Sequence, residues 1–302
     1  MRAFVTGANG FVGRYLAAAL RNEGAEVFDG FVDVNDVRAL RGAFDAFRPT
    51  TVFHLAAQTF VPESLRAPLQ TYETNVMGTA RLADALRGTA GGAPRLVFAS
   101  SAEVYGARDA AEYPLVETLD PRPRNPYAAS KAAAETILLG ESRSFGLDVV
   151  IARAFNHIGP GQDERFVVAS FAAQLARIAA GGTPQLLTGN LEAARDFLDV
   201  RDVVAAYIAL ARRGERGEIY NVCSGHAVSI RDVLRELIGI ARVPVEVRED
   251  PARARGGAEI ALLVGSPAKL RARTGWEPTI PLVQSLRETY EARRRDAAGV
   301  RL

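Results

Sequence analysis

The sequence predicts an α/β protein, a doubly wound and largely parallel sheet with a smaller, mostly C-terminal α/β lobe. Three observations carry that expectation. Short apolar runs alternate with helical patterns through the first half, a glycine-rich turn joins the first such pair, and the texture changes after about Arg153. Strands are expected over 2–5, 25–28, 51–55, 95–99 and 148–152. Helical patterns fall between them over 11–22, 35–47, 68–86 and 126–145. Each strand runs into a polar or glycine-rich segment, and in an open sheet of this kind ligands sit at the carboxyl ends of the strands.

Beyond Arg153 the segment 156–165 is rich in Gly and polar residues, and 242–265 carries Pro, Gly and several arginines. The expected division is interleaved. Residues 1–155 and 196–223 form the main α/β domain, with 197–210 and 219–223 returning to it, while 156–195 and 224–302 form the lobe.

Bulk properties exclude several classes. The 302 residues are 48% hydrophobic and 24% charged, ordinary globular usage, and the net charge of +2 gives no basic face for nucleic acid. The single cysteine, Cys223, can form neither an intrachain disulfide nor a metal set, and reads as a small buried thiol. No metal site is expected. The N-terminal residues lack the pattern of a secretory signal, and no apolar stretch approaches the length of a membrane span. A cytoplasmic enzyme is the expectation, with no membrane partner.

Residues 6–13 read TGANGFVG, between a strand and a helix. The spacing of Gly7, Gly10 and Gly13 suits a Rossmann-type turn, in which absent side chains let main-chain N–H groups and the helix N-terminus meet a pyrophosphate. Asn9, Phe11 and Val12 complete the expected cradle. Asp29 stands past the second strand, where a carboxylate holds the adenosine ribose and repels a 2′-phosphate, and no arginine immediately follows it. NAD(H) is therefore favoured, with NADP(H) still possible; the alternative for Asp29 is a solvated turn aspartate. Asp33 and Val34 would then cap the adenine.

A second constellation is Tyr127-Ala128-Ala129-Ser130-Lys131. Positions four apart share a helix face, so the phenol and the ammonium can address one site, where the cation favours the phenolate and proton transfer becomes feasible. The strand over 95–99 leads into SSAEVYG, which sets Ser101 at a carboxyl end, able to hydrogen-bond a reacting substrate oxygen. Ser100 reads as a loop residue satisfying backbone. Glu103 is either a base beside the sugar or a rim carboxylate.

TGxxGxxG, HLAAQ (54–58), SSAEVYG (100–106) and YAASK (127–131), in that order, resemble the extended short-chain dehydrogenases/reductases. RAFNHIGPGQ (153–162), GNLEAARDFLDVRDVV (189–204), YNVCSG (220–225) and TGW (274–276) resemble the branch handling GDP-mannose-derived sugars. The resemblance implies a catalytic triad of Ser101, Tyr127 and Lys131, with Glu103 beside it. It puts Leu55, Ala56 and Ala57 on the cofactor and Asn156, Asn190 and Arg195 on the substrate, with the diphosphate at Asn156 and Arg195. Phe166 and Val167 enclose the nucleotide of a GDP-sugar. The implied activity is NAD(P)H-dependent reduction of the C4 keto group of GDP-4-dehydro-6-deoxy-D-mannose to GDP-D-rhamnose. A redox-neutral 4,6-dehydratase or 4-epimerase is the enzymatic alternative, and a non-catalytic dinucleotide sensor the alternative of another class.

Two departures matter. Where relatives carry an Arg-Pro step toward the diphosphate, 253–257 read Arg-Ala-Arg-Gly-Gly, so Arg255 takes that role with a register open by one residue. Ala102 stands where dehydratases carry an acidic or hydroxyl residue, which weakens the case for water loss. His54, His157 and Trp276 read as structural, the tryptophan packing in the lobe. A homodimer is expected, because Leu82, Leu86, Ile137 and Leu138 extend beyond one core-facing stripe and suit a four-helix contact.

Overall fold

The computed structural model describes residues 1–89, 92–250 and 260–297. Its main sheet has six parallel strands: β1 (Arg2–Thr6), β2 (Glu26–Phe28), β3 (Thr51–His54), β4 (Arg95–Ser101), β5 (Val149–Ala154) and β9 (Glu218–Val222). They lie in the order β2-β1-β3-β4-β5-β9. The chain leaves β1 toward one edge and then crosses back to β3, so the strand order reverses between β1 and β3. That switch point opens a crevice at the carboxyl ends.

Helices cover both faces, which is why the central strands β3 and β5 are buried at every residue rather than at alternate ones. On one face α1 (Phe11–Asn22) and α8 (Val200–Arg213) pack Leu16, Leu20, Tyr207 and Leu210 onto Val150 and Ala152. On the other, α2 (Val37–Phe47), α5 (Gly78–Arg87) and α6 (Pro126–Phe145) enclose Phe4, Phe44, Leu96 and Ile151. Cys223 is fully buried beyond β9, and burial raises its thiol pKa.

The lobe holds a second sheet. In it β8 (Ala194–Asp199) pairs with β6 (Asn156–Ile158), β10 (Ala227–Ser229) and β12 (Leu262–Leu263). A two-stranded ribbon joins β7 (Gln185–Thr188) to β11 (Glu246–Glu249). Helices α7 (Val167–Ala179), α9 (Ile230–Ala241) and α11 (Leu282–Ala297) close the lobe core around Phe171, Leu175, Leu234 and Leu286.

Several expectations need correction. The helix expected over 68–86 is interrupted: α4 (Pro68–Tyr72) passes into a wide π turn over Glu73–Met77 before α5. The turn buries Asn75, whose amide donates to the Gln58 carbonyl and the Ser130 hydroxyl, both at 2.9 Å. Residues 196–199, expected in the main domain, lie in β8 and belong to the lobe sheet. Trp276 packs in the main-domain core, not the lobe, because α10 (Ala268–Thr274) docks on α8 and β9; its Nε1 donates to the Asp202 carbonyl at 3.0 Å. Leu82, Leu86 and Leu138 are fully buried against the sheet, so they are not the apolar face of a dimer contact. Ile137 is half-buried.

Among the described residues, no helix is long and apolar enough to cross a membrane, and no three His, Cys, Asp or Glu gather as a metal set.

Candidate active site

The glycine loop follows β1 at the switch point, with backbone that no side chain would tolerate. Gly7 has φ of +71°, and a Cβ there would stand 2.8 Å from the Ala56 nitrogen. A Cβ on Gly13 would stand 2.2 Å from the Gly7 carbonyl oxygen. The loop therefore lies flat against the start of the segment after β3, and the N-terminus of α1 faces the crevice, a fit for a dinucleotide's phosphates.

The loop's base is held by a buried relay. Thr79 donates to the Asn75 carbonyl at 2.7 Å, so it accepts from His54 Nε2 at 2.9 Å. His54 Nδ1 then accepts from the Thr6 hydroxyl at 2.8 Å, which itself accepts the Ala56 N–H at 3.2 Å. Every donor finds an acceptor with a neutral imidazole. Burial first, and the Lys131 charge second, lower the His54 pKa to about 3.

A cavity of about 360 Å³ runs from this loop to the lobe. Gly7, Gly10, Phe11, Val12, Gly13, Leu55 and Ala57 line it at the cofactor end, and Ser101, Glu103, Tyr127, Lys131, Asn156 and Phe166 line the rest. Helix α6 is placed for this purpose. Asn125 caps it by accepting the Ala128 N–H at 2.8 Å, Pro126 occupies the first turn, and Gly146 ends it with φ of 72°. Tyr127 and Lys131 consequently face one point.

Burial pushes the Tyr127 phenol up to about 12, and the nearby Ser101 hydroxyl works against that rise. Lys131 Nζ donates to the Ala99 carbonyl at 2.8 Å and lies 4.7 Å from the Phe98 ring centre. Burial lowers its pKa to about 8, while the Glu135 charge works against that fall. Ser101 Oγ accepts the Glu103 N–H at 3.2 Å, and the Glu103 carboxylate accepts from Asn125 Nδ2 at 3.1 Å.

Other expected residues lie apart from this cavity. Asn9 is exposed, and its carbonyl accepts from Arg14 at 3.2 Å. Asp29 follows β2 and pairs with Arg21 at 2.8 Å. Asp33 accepts the Asn35 N–H at 2.9 Å, and the buried Val34 packs on Gly78. Val167 opens α7 directly after Phe166. Asn190 accepts the Glu192 N–H at 2.8 Å. Arg195, only 7% exposed, sits in β8 and donates to the carbonyls of Ala194 at 2.8 Å and Ala261 at 3.4 Å. Arg255 lies outside the described residues.

The structure also adds residues. Thr59, Phe60, Gln162 and Tyr207 line the cavity, and Phe60 meets Phe166 edge-on at 5.9 Å. Their one sequence signal was proximity: 59 and 60 directly follow HLAAQ, and 162 ends the RAFNHIGPGQ block. His157 stacks parallel on Phe11 at 6.2 Å and forms part of the wall. Ser100 does not serve the backbone: its hydroxyl donates to Glu135 at 2.5 Å.

A parallel switch-point sheet, a glycine cradle and a Ser-Tyr-Lys centre on a neighbouring helix define a nicotinamide-dependent enzyme of the extended short-chain dehydrogenase/reductase class. The chain belongs to the GDP-mannose 4,6 dehydratase family, whose model matches residues 30–289. It is 44% identical to GDP-6-deoxy-D-mannose reductase of Pseudomonas aeruginosa over 95% of each chain. It is 33% identical to UDP-glucose 4-epimerase of Mycolicibacterium smegmatis over 96% of this chain and 98% of that one. Among solved structures, RMD from Pseudomonas aeruginosa complexed with NADPH superposes with a TM-score of 0.90 at 41% identity, covering 98% and 99% of the two chains.

Proposed function

We propose that the protein reduces the C4 keto group of GDP-4-dehydro-6-deoxy-D-mannose to give GDP-D-rhamnose. The observation that carries this reading is the shared cavity wall of Ser101, Tyr127 and Lys131, with Lys131 one helical turn past Tyr127 and held by the Ala99 carbonyl. Gly7, Gly10 and Gly13 would hold a reduced nicotinamide cofactor, whose chemistry there would be hydride supply. Ser101 orients the sugar's C4 oxygen, and Tyr127 gives its proton to the alkoxide as charge develops there. Lys131 stabilises the phenolate left behind and, held by the Ala99 carbonyl, cannot swing away.

Dehydration would also need an acid beside Glu103. Position 102 offers only a buried methyl group, and Glu103 is tied to Asn125. Those contacts support Glu103 as a wall carboxylate in a reductase. The relative named as a GDP-6-deoxy-D-mannose reductase supports the same substrate class. In this reading Asn156, Asn190, Arg195 and Arg255 serve the substrate's diphosphate side, and Phe166 with Val167 encloses its base. Asp33 and Val34 cap the adenine, and Asp29 favours NAD(H). The protein works in the cytoplasm as a homodimer; exposed Leu65, Leu69 and Met77 around α4 give it an apolar contact in place of the buried leucines.

A second reading, redox-neutral dehydration or epimerisation, has support from Glu103 lining the cavity and from the epimerase relative. Stoichiometry separates the two. Purified protein, NADH and GDP-4-dehydro-6-deoxy-D-mannose should lose one nicotinamide absorbance equivalent per sugar converted. Conversion of GDP-mannose or of a GDP-hexose epimer pair with no net nicotinamide oxidation would overturn the reductase reading.

A further inference from the structure

Behind the reaction centre lies a buried charge network. Glu135 and Arg153 have side chains only 3% and 2% exposed. The guanidinium grips the carboxylate through Nε at 3.0 and 3.2 Å and Nη2 at 2.7 Å, and Ser100 donates to the same carboxylate at 2.5 Å. Arg153 also lies over the Tyr105 ring at 4.7 Å, and Tyr105 donates to Asn221 at 2.7 Å. A buried ion pair is weak as a source of stability, because desolvation offsets its attraction. Its position is what distinguishes it: Glu135 is one helical turn past Lys131, which is one turn past Tyr127.

Among the described residues, the groups acting on Lys131 are few: from its own helix Glu135, from β3 the neutral His54, from β4 the Ala99 carbonyl and the Phe98 ring, with Tyr127 one turn before it on the same helix face. On β5 Arg153 stands behind Glu135 and is bound to it; Glu103 and, from α8, Tyr207 act on Tyr127 instead. Glu135 is therefore the anion that favours a charged Lys131 in a site that burial dries.

We propose that Glu135 is a positioning residue of the reaction centre: clamped by Arg153 and Ser100, its carboxylate keeps Lys131 cationic. The proposal rests on the reading of Tyr127 and Lys131 as the proton-handling pair. It also gives a role to the Ser100 hydroxyl, which donates to this carboxylate.

The chain makes a direct test simple, since Lys131 and Lys269 are its only lysines. Labelled at the ε-carbon, the protein shows two lysine NMR signals, and Lys131→Met assigns them. Glu135→Gln leaves a buried arginine that cannot discharge, so the Lys131 signal should titrate lower by about one pH unit. Arg153→Met removes the guanidinium behind the carboxylate; with the carboxylate still charged, the titration should rise. The double variant loses both charges at nearly constant volume and should titrate lower than native but higher than Glu135→Gln. It also decides the matter should the single variant fail to fold. A Lys131 titration unchanged from native in either variant lacking Glu135 overturns the proposal. The alkaline limb of kcat/KM should move with the signal; a shifted signal with an unmoved limb would instead remove Lys131 from the chemistry.

Discussion

Lys131 Nζ is 2.8 Å from the carbonyl oxygen of Ala99, two residues before Ser101 on the same strand. One hydrogen bond thus ties the helix bearing the tyrosine to the strand bearing the serine. The ammonium cannot follow solvent, and the phenol faces a fixed cation. Removing the phenolic oxygen should leave this frame intact. Tyr127→Phe is expected to lower kcat by at least about a hundredfold, the usual worth of a positioned proton donor, with NADH affinity within a few-fold of native. Single-turnover kinetics with a separate NADH titration checks both halves; a variant above a tenth of native kcat would remove Tyr127 as the acid.

His54 makes the cofactor-free protein acid-sensitive. Its pKa falls from 6.5 to about 3 in the fold, so the unfolded chain takes up a proton first as pH drops. The contribution is complete above pH 6.5 and is lost progressively as the medium approaches the folded value. Its slope reaches up to about 1.4 kcal/mol per pH unit. Denaturant unfolding between pH 6.5 and about 5 should give a smaller slope for His54→Gln than for the native chain. Equal slopes would mean the imidazole charges in place.

Arg195 tests the second nucleotide. It lies in the lobe sheet, away from the glycine loop, and β8 buries all but 7% of it. A charge-assisted contact to a diphosphate contributes roughly 1.5–3 kcal/mol. Arg195→Ala is therefore expected to weaken GDP binding at least about tenfold and to leave NADH binding nearly unchanged. Calorimetric titration of both ligands separates the possibilities. Equal loss of both assigns the arginine to folding, and loss of neither removes it from the substrate site.

The main sheet was legible because its strands are short apolar runs closed by Gly or polar segments, and because α6 carries its own punctuation in Asn125, Pro126 and Gly146. The tight turn after β1 was legible through backbone demands that only glycine meets at Gly7 and Gly13. What periodicity could not show was partnership. Leu82, Leu86 and Leu138 look like a second apolar stripe, yet two layers of helix and sheet absorb them all. Ser100 and Glu135 are far apart in sequence and each is unremarkable there; only the pairing of β4 with β5, and the packing of α6 on both, bring them onto Arg153. The π turn at Asn75 has no local signature, since its cause is the distant Gln58 and Ser130.

Cofactor choice should turn on an exposed pair. Asp29 stands just past β2, where a carboxylate meets the adenosine ribose, but Arg21 on α1 holds it at 2.8 Å. With side chains 38% and 50% exposed, solvent screens both charges and neither dominates outright. In the proposed reading the aspartate would accept the ribose hydroxyls and oppose a 2′-phosphate, and the arginine would moderate that opposition. Native protein should therefore bind NADH more tightly than NADPH, by a modest ratio. The two single variants should then move in opposite directions. Asp29→Ala removes the repulsion and frees the arginine, so the ratio should narrow or invert. Arg21→Ala leaves the carboxylate unmoderated, so the ratio should widen. Both effects should shrink as ionic strength rises, because the groups lie at the surface. Dissociation constants for the two cofactors, measured on three proteins at two salt concentrations, supply the test. Native binding of NADPH tenfold tighter than NADH would assign Asp29 to the surface, and same-direction shifts in the two variants would leave the ion pair with no part in cofactor choice.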